Sequence, residues 1–237
     1  MRSGAPWSQD GSGFLPIREV ALVTTAAGAS AGSLSTRPVT SVVFDLGNVL
    51  IEWNRDFLYR TLIPDVERRA WFLENITNME WNAGLDRGRS FDEAVAELSA
   101  KHPEWMVEIE AFRDRWVETM GDADAEAVAL VAELRDAGVP VYALTNWSAE
   151  TFPHAQARFE WLEWFDGIIV SGHEGVAKPE PAIFELLHER FGIELGSALF
   201  TDDLQGNIDG ARAAGLQAEL WTSARAFRSV LQQCGAL

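Results

Sequence analysis

The run Val42-Val43-Phe44-Asp45-Leu46-Gly47-Asn48-Val49-Leu50 constrains the fold more than any other stretch of the chain. Val42, Val43 and Phe44 are β-branched or aromatic with nothing polar between them, which predicts a strand covered on both faces. The run stops at Asp45, and Gly47 and Asn48 provide a bend. Burying an unpaired carboxylate is costly, so Asp45 belongs at the strand tip, facing water, a cation or a hydrogen-bond donor. Asp, Gly and Asn are also ordinary turn residues, and on this stretch alone a strand-ending turn explains the pattern equally well.

Beyond residue 120 the pattern alternates between helix and strand. A helix is expected over 124–137, with Gly138 at its C-terminal cap and Pro140 preventing continuation. Strands follow over 141–144, 167–170, 198–200 and 216–222, separated by helices over 152–163, 182–191 and 207–214. Strands joined through helices indicate right-handed crossovers and an α/β parallel sheet flanked by helices. Residues 54–120 carry no alternating pattern. Ser90-Phe91-Asp92-Glu93 and Thr77-Asn78-Met79-Glu80 have capping-box spacing. Trp105, Ile109, Phe112 and Trp116 recur every three to four residues, as one helix face does, with Trp105 and Trp116 read as core packing. The stretch is therefore a helical insertion between the first strand and the rest of the sheet.

Composition narrows the partners. A net charge of −17 repels nucleic acid and anionic membranes, so an anionic substrate requires a locally positive site. Cys234 is the sole cysteine, which excludes an intramolecular disulfide and a thiolate zinc site. No run is long enough to span a membrane. Residues 1–38 are rich in Gly, Ser, Ala and Thr and form a flexible extension by composition. The apolar run near Val20 is interrupted by Thr24 and Thr25 and preceded by Glu19, so export is not expected and the protein is placed in the cytoplasm.

In a parallel sheet, sites form beyond the carboxyl ends of the strands. The residues expected there are Asp45, then Thr145-Asn146, then Lys178 in the loop after the third strand, then Asp202-Asp203. Thr-Asn and Lys-Pro are common loop pairs, and adjacent acids are common on solvated loops. The combination at one sheet edge suits a hard divalent cation, Mg²⁺, which takes one or two carboxylates and fills its other positions with oxygen. Asp45 and Asp202 are the expected side-chain ligands, with the Gly47 carbonyl as a third oxygen. Lys178, the Thr145 hydroxyl and the N–H groups of Leu46, Gly47 and Asn146 would hold a phosphoryl group against Asp45. The expected chemistry is attack by Asp45 on phosphorus, followed by hydrolysis of the aspartyl phosphate.

In order, FDLGNV around Asp45, LTN around Thr145, AKPEPAIF around Lys178 and FTDDLQGN around Asp202-Asp203 resemble the four motifs of the haloacid dehalogenase-like hydrolase superfamily. The FDLGNV form looks most like the group containing bacterial α-D-glucose-1-phosphate phosphatase. The resemblance covers residue 41 to the C-terminus. It implies a Rossmann-like catalytic core over 39–53 and 121–237, with a helical cap over 54–120. It also implies that Asp45 is the nucleophile, that Asp45 and Asp202 bind Mg²⁺, and that Thr145 and Lys178 bind phosphate. Asp203 and Asn207 would support the metal shell and Lys178. The implied substrate is a small phosphorylated metabolite, with a sugar phosphate as the expected class, and the implied state is a monomer or homodimer.

One departure from the pattern matters. Phosphatases of the superfamily usually carry an acid–base Asp two residues after the nucleophile, and that position is Gly47 here. Either the leaving group needs little protonation, or Asp86, Glu52 or His173 substitutes, or the protein is a catalytically weak relative that binds without turnover. A dehalogenase would also use an aspartate nucleophile, but Asp202-Asp203 would repel it without a cation. In the helical insertion, Trp81 and Arg87 are candidate substrate contacts and Arg89 a weaker one; Trp53, just past the first motif, stacks on substrate or packs beneath the cap.

Overall fold

The computed structural model describes residues 38–237, so the expected N-terminal extension falls outside the described residues except for Pro38. The strands are β1 (Ser41–Phe44), β2 (Ile51–Trp53), β3 (Met120–Ala123), β4 (Val141–Thr145), β5 (Gly167–Val170), β6 (Ala198–Asp202) and β7 (Gln217–Leu220). A five-stranded sheet runs in the order β5-β4-β1-β6-β7 with every pairing parallel. Its middle strand is β1. Val42 and Phe44 point into a core shared with helices Ala125–Asp136 and Ala224–Gln233, whereas Val43 points to the opposite face, against Pro181–Phe191 and Gln205–Ala213. The unbroken apolar run thus reflects burial on both faces.

Register determines what meets at the strand ends. Phe44 pairs with Ala143 on β4 and with Thr201 on β6, and the Asp45 N–H continues the ladder to the Thr201 carbonyl at 2.9 Å. Asp45 is therefore level with the ends of both neighbouring strands. Between β2 and β3 the chain is helical: Asp56–Leu62, Val66–Asn75, Met79–Asp86, Phe91–Lys101 and Met106–Asp114, with short 3-10 turns at Pro103–Trp105 and Trp116–Thr119. Buried rings hold this segment together, Tyr59 lying 4.8 Å from Phe72 and 6.3 Å from Phe112. Trp105 packs on Phe72 at 4.9 Å, consistent with the helix-face spacing.

Several details differ from the sequence expectation. The segment is bracketed by a short antiparallel pair, β2 with β3, where no strand is expected. Asn78, not Thr77, caps helix Met79–Asp86, its Oδ1 accepting the Trp81 N–H at 2.8 Å, because an Asn one residue closer to the helix reaches the free amides. The helix expected over 152–163 ends at Arg158 and resumes past Phe159 as a 3-10 turn, Glu160–Trp164. Helix Ala224–Gln233 is additional, although Ser223 caps it and Ala224, Phe227 and Leu231 mark its buried face. Among the described residues, no helix is long and apolar enough to cross a membrane.

Phe227 ties the final helix to the central strand, its ring 5.6 Å from Phe44 and 5.7 Å from Trp221. Phe227→Ala is expected to destabilise the fold by about 3–5 kcal/mol, as large-to-small changes in aromatic cores do. Urea unfolding measures it; a loss below about 1 kcal/mol would mean that this helix is not part of the cooperative core.

Candidate active site

Lys178 is the centre of the strand-end cluster. Its Nζ is buried and meets Asp45 Oδ1 at 2.8 Å, Asp202 Oδ2 at 2.7 Å and the Leu144 carbonyl at 2.8 Å. Asn146, just past β4, secures the lysine backbone: its Oδ1 accepts the Lys178 N–H at 2.9 Å and its Nδ2 donates to the Lys178 carbonyl at 3.0 Å. Asp202, fully buried at the end of β6, accepts the Leu204 N–H at 2.8 Å and the Asn207 amide at 2.9 and 3.0 Å. Asn207 sits in the first turn of helix Gln205–Ala213 and thereby orients the Asp202 carboxylate. The Leu46 N–H bonds Asp45 Oδ1 at 2.7 Å, and Thr145 is buried at the end of β4.

Charge does not balance among these groups. Burial alone would push the Lys178 ammonium down, but Asp45 and Asp202 beside it hold it above the usual lysine range. Burial pushes the Asp45 carboxyl up to about 7, against the pull of Lys178 and aided by the charges of Asp202 and Asp203. Burial and the Asp202 charge also raise Asp203. Carboxylate oxygens of Asp45, Asp202 and Asp203 lie within 4.8 Å of one another. One lysine facing three carboxylates leaves a deficit of positive charge, and the all-oxygen donor set suits a hard divalent cation such as Mg²⁺.

A cavity of about 240 Å³ opens above the cluster. Asp45, Gly47, Asn146, Asp203 and Asn207 line it from the core, and Trp53, Met79, Asn82, Ala83, Asp86 and Trp116 from β2 and the helical segment. Trp147 and Leu204 complete the wall. A Cβ added at Gly47 would meet nothing within 4 Å, so the missing side chain leaves open space. Trp116 packs 5.6 Å from Trp147 and lines the cavity as well as the core. The indole Nε1 of Trp53 is buried without a hydrogen-bond partner.

Other singled-out residues lie elsewhere. Trp81 packs on Phe112 at 5.4 Å and does not line the cavity. Arg87 pairs with Glu180 at 2.9 Å and Arg89 with Glu97. Glu52 lines a separate cavity with Val49 and Asp122, and His173 is exposed. Asn82, Met79, Trp147 and Leu204 line the cavity although none of them was expected as a site residue. Asn82 and Met79 belong to the same capped helix as Asp86, but only its docking against the strand ends turns that face towards the cluster.

Residues 39–215 match the family model for haloacid dehalogenase-like hydrolases. The chain is 31% identical over 181 residues to the sesquiterpene phosphatase astK of Aspergillus oryzae, covering 74% of this chain and 86% of that protein. It is 29% identical over 201 residues to phosphatase MT3486 of Mycobacterium tuberculosis, covering 77% and 87%. Its fold is similar to a crystal structure of a Bacteroides thetaiotaomicron enzyme of the same family, with a TM-score of 0.65 at 19% identity over 82% of this chain and 99% of that one. That enzyme's wild-type protein has also been solved in complex with magnesium and inorganic phosphate.

The raised Asp45 carboxyl has a consequence for the metal-free protein. Its folded value of about 7 exceeds the ordinary aspartate value of 3.8, so the native state binds this proton more tightly than the unfolded chain. The resulting stability is present below about 4 and is lost as pH rises through about 7. Asp45→Asn carries no such charge. In chelator, its melting temperature relative to wild type should be higher at pH 8 than at pH 5; an equal offset at both would contradict an ionising buried Asp45.

Proposed function

Because the chain belongs to the haloacid dehalogenase-like hydrolase family, we propose that it is an Mg²⁺-dependent phosphatase that hydrolyses a small phosphate monoester through an aspartyl phosphate on Asp45. The observation that carries this reading is the buried Lys178 bridging Asp45 and Asp202 at the open end of the sheet. The helical segment between β2 and β3 is the cap over that site.

In this reading Asp45, Asp202 and the Gly47 carbonyl hold Mg²⁺, with Asp203 and Asn207 supporting them. The cation supplies the positive charge that the carboxylate cluster lacks when phosphate enters. An Asp45 oxygen attacks phosphorus as the bond to the leaving oxygen breaks, and water then cleaves the aspartyl phosphate. Lys178 provides fixed positive charge for a phosphoryl oxygen. The Thr145 hydroxyl and the N–H groups of Leu46, Gly47 and Asn146 supply donors for the others. Because these groups are set by strand ends, little reorganisation accompanies the charge movement, which is where phosphoryl transfer gains most of its rate.

Two observations bear on what the phosphate is attached to. The FDLGNV form supports a sugar phosphate. The cavity wall supports a substrate with an apolar body, because Trp53, Met79, Trp116, Trp147 and Leu204 offer it ring and aliphatic surface. The Aspergillus relative, a sesquiterpene phosphatase, agrees with the second.

With Mg²⁺ present, p-nitrophenyl phosphate should be hydrolysed, and chelator or Asp45→Asn should abolish turnover. Lys178→Met should cost at least about 10²-fold in turnover. Activity that survives chelation or Asp45→Asn would overturn the mechanism. A parallel panel of α-D-glucose 1-phosphate and an isoprenoid monophosphate separates the two substrate classes by kcat/KM; the apolar wall predicts preference for the isoprenoid.

A further inference from the structure

Gly47 leaves the leaving-group oxygen without an obvious proton donor from the first strand. Three carboxylates line the cavity: Asp45, Asp86 and Asp203. Asp45 is the proposed nucleophile, and Asp203 lies in the carboxylate cluster that suits the cation. Only Asp86 stands outside that cluster, on the part of the wall built by the helical segment, at the last residue of helix Met79–Asp86.

Asp86 is held from three sides. Asn82, one turn earlier and buried, donates from Nδ2 to Asp86 Oδ2 at 2.9 Å. Ser171 Oγ donates to the Asp86 carbonyl at 2.5 Å while accepting the Trp147 N–H at 3.0 Å, which ties Asp86 to the end of β4. Gly88 approaches Gly172 so closely that a Cβ there would lie 2.8 Å from the Gly172 carbonyl oxygen. Gly172 in turn leaves no room for a Cβ, which would lie 2.3 Å from the Ala149 nitrogen. These contacts anchor the end of the helix to the strand-end loops, so the carboxyl is presented by the cap to the same space that Gly47 leaves open.

We propose that Asp86 is the general acid and base of the reaction, supplied by the cap in place of a residue two positions after Asp45. The proposal rests on the phosphatase reading above. In the first step the Asp45–phosphorus bond forms, the bond from phosphorus to the leaving oxygen breaks, and that oxygen takes the Asp86 proton. In the second step the Asp86 carboxylate takes a proton from water as the water oxygen bonds to phosphorus. The aspartyl–phosphorus bond then breaks, releasing hydrogen phosphate and restoring both carboxyl groups. Burial raises the Asp86 carboxyl to about 7, against the Asn82 hydrogen bond and the charges of Arg87 and Lys178, a value that serves both roles near neutral pH. Neither Glu52 nor His173 lines this cavity.

The test uses leaving-group dependence, with the full chain in Mg²⁺ and a series running from p-nitrophenyl phosphate to simple alkyl phosphates. With a proton donor, the wild-type first step should vary little across the series. In Asp86→Asn it should fall by about 10²–10⁴-fold for alkyl phosphates and little for p-nitrophenyl phosphate, whose leaving group needs no proton. The variant should then show a burst of one p-nitrophenol per site followed by slow turnover, because the second step has lost its base. Equal slowing of the first step for all substrates, or steady-state turnover at the wild-type rate, would overturn the proposal. So would a steep decline with leaving-group basicity in wild type, a result that does not depend on the variant folding. Wild type inert towards every substrate would instead defeat the phosphatase reading itself.

Discussion

A lysine with no exposure to water sits between two carboxylates at the open edge of the sheet, and the arrangement of the site follows from it. Each charge is costly to bury alone, and Lys178 offsets that cost for both Asp45 and Asp202. Asn146 and Asn207 then fix the partners, one by grasping the Lys178 backbone and the other by bonding both Asp202 oxygens. Because the third carboxylate, Asp203, adds charge that Lys178 cannot match, the cluster favours additional positive charge over further packing. A structural ion pair would be balanced; this one is not.

The sheet makes that imbalance possible. All its strands run in parallel, so their carboxyl ends converge on one edge, and the register of β1 with β4 and β6 brings Asp45 level with both neighbours. Burial on both faces holds β1 in place: Phe44 lies against Phe165, Trp221 and Phe227 on one side, and Val43 belongs to the core on the other. Asp45 and Asp202 thus stand at the ends of buried apolar strands, and the buried Lys178 is fixed between them by its three polar contacts, which suits chemistry that depends on fixed charge.

The helical segment contributes the other half of the cavity. Its own stability comes from stacked rings around Tyr59, Phe72 and Phe112. Its contact with the strand ends is made by Gly88 against Gly172, by Ser171 between Asp86 and Trp147, and by the Trp116 ring against Trp147. Ring packing inside the segment, continuous with the apolar core that contains Val42 and Phe44, lets it deliver Asp86, Met79 and Trp116 to the cavity.

Much of this was legible in the amino-acid order. The unbroken apolar run before Asp45 announced a strand buried on both faces, and Thr145, Lys178 and Asp202-Asp203 at later strand ends announced a charged edge, because strand periodicity and turn chemistry are local properties. The cap at Ser90 was equally local. Helix Ala224–Gln233 carries a local signal in the spacing of Ala224, Phe227 and Leu231, whereas the β2–β3 pair joins residues about seventy positions apart and has no short-range signature. The side-chain role of Asn146, the separation of Asp86 from Glu52 and His173, and the inward turn of Trp81 were decided only by tertiary structure. Residue types state what chemistry a side chain can perform; which of them share a cavity depends on how a helical segment docks on a sheet edge, and that docking is set by contacts between residues far apart in the chain.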